Sequence, residues 1–287
     1  MSNVDPVVAR KTWRTLEPLH GLIYFAPEAT ERYAALGIDG RAGYFASRAA
    51  AMGPISAEVV IATFFNFNPD LVRAAIPAAW RASAPEKILA ARVDAADAAL
   101  RRALGTAVGT PEMARAAELA RTAAQAACEQ LAGRPLFAAH VELDWPDEPH
   151  LVLWHAQTLL REYRGDGHIA ALTAAGLTGV EALVVHAATG EVAAEVLKAT
   201  RAWSDEQWAA GVESVRSRGW LADGDKLRLS PSGATHRQAV EDTTDQLAVH
   251  AYSRLGGDAC SELRALARPF SQAVVASGTF GFGADRD

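Results

Sequence analysis

Glu191-Val-Ala-Ala-Glu-Val-Leu-Lys-Ala-Thr-Arg-Ala202 and Asp205-Glu-Gln-Trp-Ala-Ala-Gly-Val-Glu-Ser-Val-Arg-Ser-Arg218 are separated only by Trp203 and Ser204. Apolar residues recur every three or four positions in both runs, which predicts two amphipathic helices across a tight turn. Ser204 is a natural N-cap for the second. Gly219-Trp-Leu221 ends that helix, and the turn Ala222-Asp-Gly-Asp225 leads into Lys226-Leu-Arg-Leu-Ser230, whose alternation predicts one arm of a short hairpin. Pro231-Ser-Gly233 then opens a long helix to about Tyr252.

Two helices, a tight turn and a small β wing make a winged helix-turn-helix. The same order is echoed upstream. Ala35-Leu-Gly-Ile-Asp-Gly40 matches Ala174-Ala-Gly-Leu-Thr-Gly179, and Ala57-Glu-Val-Val-Ile-Ala-Thr63 matches Ala194-Glu-Val-Leu-Lys-Ala-Thr200, at offsets of 139 and 137. A turn and a new helix start follow each copy, at Asn66-Phe-Asn-Pro-Asp70 and Trp203-Ser-Asp205. The expected architecture is mainly α: a degenerate winged-helix-like unit over 1–109, an Ala-rich connector helix within 110–134, and a complete unit with C-terminal helices over 135–287. The two units are expected to form a pseudo-two-fold fused dimer with a wing only in the second. In the first unit the helix expected over Asp70 to Trp80 contains Pro77 and runs into Ala82-Ser-Ala-Pro85 where a wing belongs.

Arg218-Gly-Trp-Leu221, the acidic turn and Leu227-Arg-Leu-Ser-Pro-Ser-Gly233 resemble the recognition-helix-and-wing passage of MarR-type regulators. His20-Gly-Leu-Ile-Tyr-Phe25, Gly43-Tyr-Phe-Ala-Ser-Arg48, Ala62-Thr-Phe-Phe-Asn-Phe-Asn-Pro69, His150-Leu-Val-Leu-Trp154, Leu160-Arg-Glu-Tyr-Arg-Gly-Asp-Gly-His168 and Glu241-Asp-Thr-Thr-Asp245 together resemble the actinobacterial SalK-like helix-turn-helix family over nearly the whole chain. That resemblance implies a MarR-like helical fold doubled in one polypeptide and carries no activity with it.

The 287 residues are 50% hydrophobic and 22% charged, which excludes disordered and low-complexity classes. A net charge of −6 leaves no global positive field to draw the protein onto nucleic acid or an anionic membrane. Cys128 and Cys260 lack metal-motif spacing, and Met1 to Lys11 contains no apolar leader core, so a cytoplasmic protein with reduced thiols is expected. Apolar stretches such as Val59 to Phe65 fall far short of the roughly 20 residues that span a bilayer. A fused pair is expected as a monomer or a homodimer.

The predicted recognition helix sets Asp205, Glu206 and Glu213 against Arg216 and Arg218, and an acidic first turn meets phosphate badly. Arg216, Arg218, Lys226 and Arg228 are the residues left to read DNA. The acidic residues weaken DNA as a partner without removing it.

Chemistry concentrates elsewhere. His20 and Tyr24 share a helical face with Glu17, and His150 and Trp154 repeat that four-residue spacing ahead of Glu162 and Arg164-Gly-Asp-Gly-His168. Three readings stand. Arg164 and Asp166 pair at a helix junction, with Asp166 capping a helix over Gly167 to Ala175. Alternatively a small organic molecule lies between the halves, walled by Tyr24, Phe25, Phe64, Phe65, Phe67 and Trp154 and anchored by His20, Arg164 and His168. Or His20, Glu162 and His168 hold iron or zinc, or one histidine ligates haem, in an enzyme of secondary metabolism. The second reading gives a small-molecule-binding protein derived from a MarR-like regulator, with a transcriptional regulator as a further alternative. Gly278-Thr-Phe-Gly-Phe-Gly283 lacks the flanking strand and helix of a nucleotide loop. Ser230, Ser232 and His236 are read as helix-capping rather than catalytic.

Overall fold

A computed structural model describes residues 4–38, 40–224 and 226–281. Asp39 of the first glycine motif, Asp225 of the expected turn and the end of the Gly-rich stretch at 282–283 lie outside the described residues. The chain runs through α1 (Pro6–Gly21), α2 (Pro27–Ala35), α3 (Gly40–Ala49), α4 (Ala57–Phe64), α5 (Pro69–Ala75), α6 (Ala78–Ala82), α7 (Pro85–Leu104) and α8 (Pro111–Ala127). It continues through α9 (Pro135–Val141), α10 (Pro149–Ala174), α11 (Gly179–Ala187), α12 (Ala194–Arg201), α13 (Asp205–Ser217), α14 (Pro231–Ala248) and α15 (Gly256–Ala276). Proline at the first helical position costs no hydrogen bond, and Asn68, Thr110 and Ser230 precede such prolines and accept a first-turn N–H.

The 26-residue α10 organises the molecule. Its first half is buried in a large core shared with α1, α3, α7, α8 and α15, and its last turn, with Ala171 and Leu172, enters a second core of α11, α13 and α14. The helix within the 110–134 stretch expected as a connector, α8, is buried in the large core. Ala116, Ala120, Ala123, Ala124 and Ala127 are fully buried, and their small side chains let α8 approach α10 closely.

The chain leaves α2 and α10 by the same device. Gly37 and Gly176 adopt φ of 75° and 69°, and the next residue's N–H bonds back, Ile38 to the Tyr33 carbonyl at 3.0 Å and Leu177 to the Leu172 carbonyl at 3.1 Å. Only glycine takes that backbone without strain.

Three sequence expectations are corrected. The helix expected over Asp70 to Trp80 is split into α5 and α6 at Ile76 and Pro77, because proline supplies no N–H to continue it. The junction expected at Arg164 to His168 is uninterrupted helix, so Asp166 caps nothing on its own helix. Gly167 provides clearance rather than a turn: a Cβ on it would lie 3.0 Å from Arg134 and 3.3 Å from Leu247. The hairpin is reduced to one antiparallel bridge, Leu221 with Leu229, flanked by bonds from Ala222 N to Arg228 O and from Ser230 N to Trp220 O, both 2.9 Å; no regular strand forms among the described residues.

Candidate functional site

The polar residues of α1, α3 and the first half of α10 meet inside the large core. The Thr158 hydroxyl donates to the Trp154 carbonyl at 3.0 Å, so His20 Nδ1 must donate to Thr158 Oγ1 at 2.9 Å. That fixes His20 Nε2 as acceptor of the Tyr24 hydroxyl at 2.7 Å. The ring is fully buried; burial, then Arg161, Arg92 and Arg48, hold its pKa well below the usual value, so it is neutral. Burial also raises the Tyr24 phenol.

Arg48 grips both Glu162 oxygens from Nη2 at 3.0 and 2.9 Å and donates from Nη1 to the Tyr44 hydroxyl at 2.8 Å. Its guanidinium stacks 4.4 Å over Phe64. Arg161 donates to Glu17 at 2.8 Å and reaches Glu162 at 3.3 Å. Burial opposes the Glu162 charge, yet Arg48 and Arg161 outweigh it and hold the carboxyl at about 2. Behind them Arg92, 2% exposed, donates from Nη1 to His140 Nε2 at 3.0 Å and lies 5.3 Å over Trp154. Sequence reasoning assigned no role to Arg48, Tyr44 or Arg92. The first two lay within a quoted passage, but nothing in their spacing tied them to residues over a hundred positions away.

The other expected site residues are placed apart. Arg164 lies further along α10, where it pairs with Asp245 at 2.8 Å and Glu241 at 3.5 Å and stacks 4.8 Å over Trp13. Asp166 accepts from Phe137 N at 2.9 Å in the first turn of α9, and burial raises its pKa to about 6. His168 donates from Nδ1 to Thr244 Oγ1 at 2.9 Å, since that hydroxyl donates to the Val240 carbonyl. Six residues of helix put His168 about 9 Å along the axis from Glu162. His20 already spends both ring nitrogens, so His20, Glu162 and His168 do not assemble into a ligand set. No group of three or more His, Cys, Asp or Glu suited to a metal occurs among the described residues. Phe25 is 57% exposed and touches Phe280, and Phe65 packs into the second core, so neither walls a site with His20.

The two helices expected to form the helix-turn-helix are α12 and α13, joined by the short turn Ala202 to Ser204. Their cations are largely engaged: Arg218 with Glu181 at 3.2 Å and the Gly176 carbonyl at 3.0 Å, Arg216 with Glu213 at 3.4 Å, Lys198 with Asp205 at 2.6 Å. Lys226 and Arg228 are exposed. The α12–α13 turn is clasped by the α4–α5 turn. Asn68 N donates to the Arg201 carbonyl at 3.0 Å, Asn68 Nδ2 to Gln207 at 2.9 Å, and Trp203 Nε1 to the Asn66 carbonyl at 3.0 Å.

Beside this joint lies a cavity of about 400 Å³. His168, Leu172, Leu183, His186, Val196 and Arg201 are among its walls, with Asn66 reaching in from the α4–α5 turn. Burial holds His168 at about 4 and also lowers His186, so both are neutral near pH 7. Of the expected site residues only His168 borders it.

A helix-turn-helix family model matches residues 9–281, and the chain belongs to that family. Comparisons with curated proteins and with solved structures find no match. Among the described residues no single helix is long and apolar enough to cross a membrane.

Proposed function

We propose that this chain is a small-molecule-binding protein of the cytoplasm, built on two fused MarR-like helix-turn-helix units, with its ligand in the cavity beside His168, His186 and Arg201. The single observation that carries this reading is the joint between the α4–α5 and α12–α13 turns. Gln207 stands in the first turn of α13, the part of a recognition helix that meets base edges, and here it is held by Asn68. The matched glycine exits from α2 and α10, and the eight-residue helices α4 and α12 that follow, support the duplication. In this reading the bridge at Leu221 and Leu229 is the remnant of a wing, and the first unit has lost its own.

Family membership and the exposed Lys226 and Arg228 favour a second reading, a transcriptional regulator. Two measurements separate them: the native mass of the purified protein against its denatured mass, and a mobility shift on DNA from its own promoter over a range of salt. A bound organic mass with no specific shift is expected. A bare native mass with a sequence-specific, salt-dependent shift overturns the first reading in favour of the second.

A further inference from the structure

We infer that the cavity takes an amphipathic anion, its acidic head paired with Arg201 and its hydrocarbon body against Leu172, Leu183 and Val196. This rests on the ligand-binding reading above and adds the chemical class of the ligand. About 400 Å³ lies within the size range of small-molecule sites, and aliphatic side chains from α10, α11, α12 and α14 line it.

Charge selects the head group. Among the described residues the Arg201 guanidinium bonds only the neighbouring Thr200 hydroxyl, from Nη1 at 2.8 Å, and it stacks 5.1 Å over Phe67. Its Nε is buried with no hydrogen-bond partner, and no carboxylate pairs with it among the described residues. The remaining charges facing the cavity are accounted for. From α14, Arg237 pairs with Glu241, which also meets Arg164 of α10. From α10 and α11, His168 and His186 are neutral near pH 7, and His236 of α14 stacks 4.5 Å from Trp220. Arg201 is thus the one cavity-lining cation among the described residues without an anion, and Arg48 and Arg161 add to the positive field around it. A partly buried guanidinium whose Nη groups make a single hydrogen bond is a carboxylate or sulfonate receptor. A cation in the same place meets repulsion, and a neutral molecule leaves the Arg201 charge without a counter-charge.

The head would also sit at the joint, because the Arg201 carbonyl accepts from Asn68 N and the Asn66 carbonyl from Trp203. Occupancy therefore touches both sides of the contact that holds α13.

The test is calorimetric titration of the full-length protein with sodium decanoate, 1-decanol and decylammonium chloride, each below its aggregation limit and at matched ionic strength. Decanoate is expected to bind saturably at one per chain, at least tenfold tighter than decanol, with no saturable binding of decylammonium. Arg201→Met is expected to weaken decanoate at least tenfold and to leave decanol within twofold. Equal binding of decanoate and decanol overturns the anionic class and leaves the cavity reading intact, and tighter binding of decylammonium does the same. No binding of any of the three overturns both. The wild-type comparison decides the matter even if Arg201→Met does not fold.

Discussion

Phe65 and Ala202, 137 positions apart, both have φ of 57° and are the two non-glycine residues with positive φ among the described residues. Each closes an eight-residue helix, α4 or α12, and each leads into the turn that clasps the other. A side chain in the left-handed region costs energy that its surroundings must offset. The Phe65 ring does so by packing into the second core with Leu172 and Val184 as members. Strain at the joint is therefore tied to burial across it.

The joint predicts a steric limit at Gly179. A Cβ there would stand 2.2 Å from the Phe65 carbonyl oxygen and 3.0 Å from the Asn66 Cα, both backbone atoms that cannot rotate away. Gly179→Ala is expected to destabilise the fold by about 1–3 kcal/mol, the range for forced overpacking, seen as a lower urea midpoint. Gly257→Ala, in the first turn of α15, serves as a control for the glycine-to-alanine change alone, since its φ is not positive and its Cβ would meet nothing within 4 Å.

Asn68 predicts a local rather than global effect. Its side chain caps α5 through the Asp70 N–H at 3.0 Å and holds Gln207 of α13 at 2.9 Å. Asn68→Ala removes both bonds and is expected to cost about 1–2 kcal/mol. Amide exchange should rise in the first turn of α13 more than in α10. Uniform acceleration through α10 would instead mean that the joint is not a separable contact.

Much of this fold is legible in the sequence and the sites much less so. The α12–turn–α13 unit follows from local signals: helical spacing, Ser204 as cap and Pro231 at the head of α14. The His20–Tyr24 contact follows from spacing on one helical face. What fails is long-range. Arg164 and Asp166 read as a pair at a helix junction because two glycines flank Asp166, but both lie inside α10, where packing against Leu247 and Arg134 asks for a glycine at 167. Arg201 ends α12 unremarkably in sequence, and only the fold sets it in a cavity wall without a carboxylate.

Acid sensitivity follows from the buried histidines. Folding holds His140 at about 4, His155 at about 3 and His168 at about 4, against 6.5 when unfolded. Below pH 6.5 the unfolded chain takes up protons that the folded one refuses, so stability falls as pH falls. Burial lowers His20 and His186 in the same sense, while Asp166, at about 6 instead of 3.8, and Asp245, raised by burial, work the other way over part of that range, so two groups oppose five. A net loss on the order of 5 kcal/mol is expected between pH 6.5 and 4.5, measured by urea unfolding. His155→Phe keeps an edge contact with Trp145 and loses no ring hydrogen bond, because the buried Nε2 has no partner. It should reduce the loss over that interval by about 2 kcal/mol.

The Arg48–Glu162 pair gives the sharpest prediction at the polar core. Glu162 is 1% exposed and accepts two bonds from Arg48 and one from Arg161. Because its folded pKa is about 2 against 4.5, its contribution is complete above pH 4.5 and disappears as pH falls toward 2. Glu162→Gln leaves Arg48 buried without a counter-charge, which is expected to cost about 3–5 kcal/mol at pH 7. Arg48→Met leaves the carboxylate with only the longer contact to Arg161 and should also be destabilising, with the Glu162 pKa rising as the larger of its two opposing charges is lost. The double variant Arg48→Met with Glu162→Gln removes both charges, and Met fills part of the space over Phe64. Its loss should be clearly smaller than the sum of the single losses, because most of each single loss is the desolvation of the orphaned partner. Additive losses in a double-mutant cycle at pH 7 would show that the two side chains stabilise the core independently, and would remove the ion pair as the element that aligns α3 with α10.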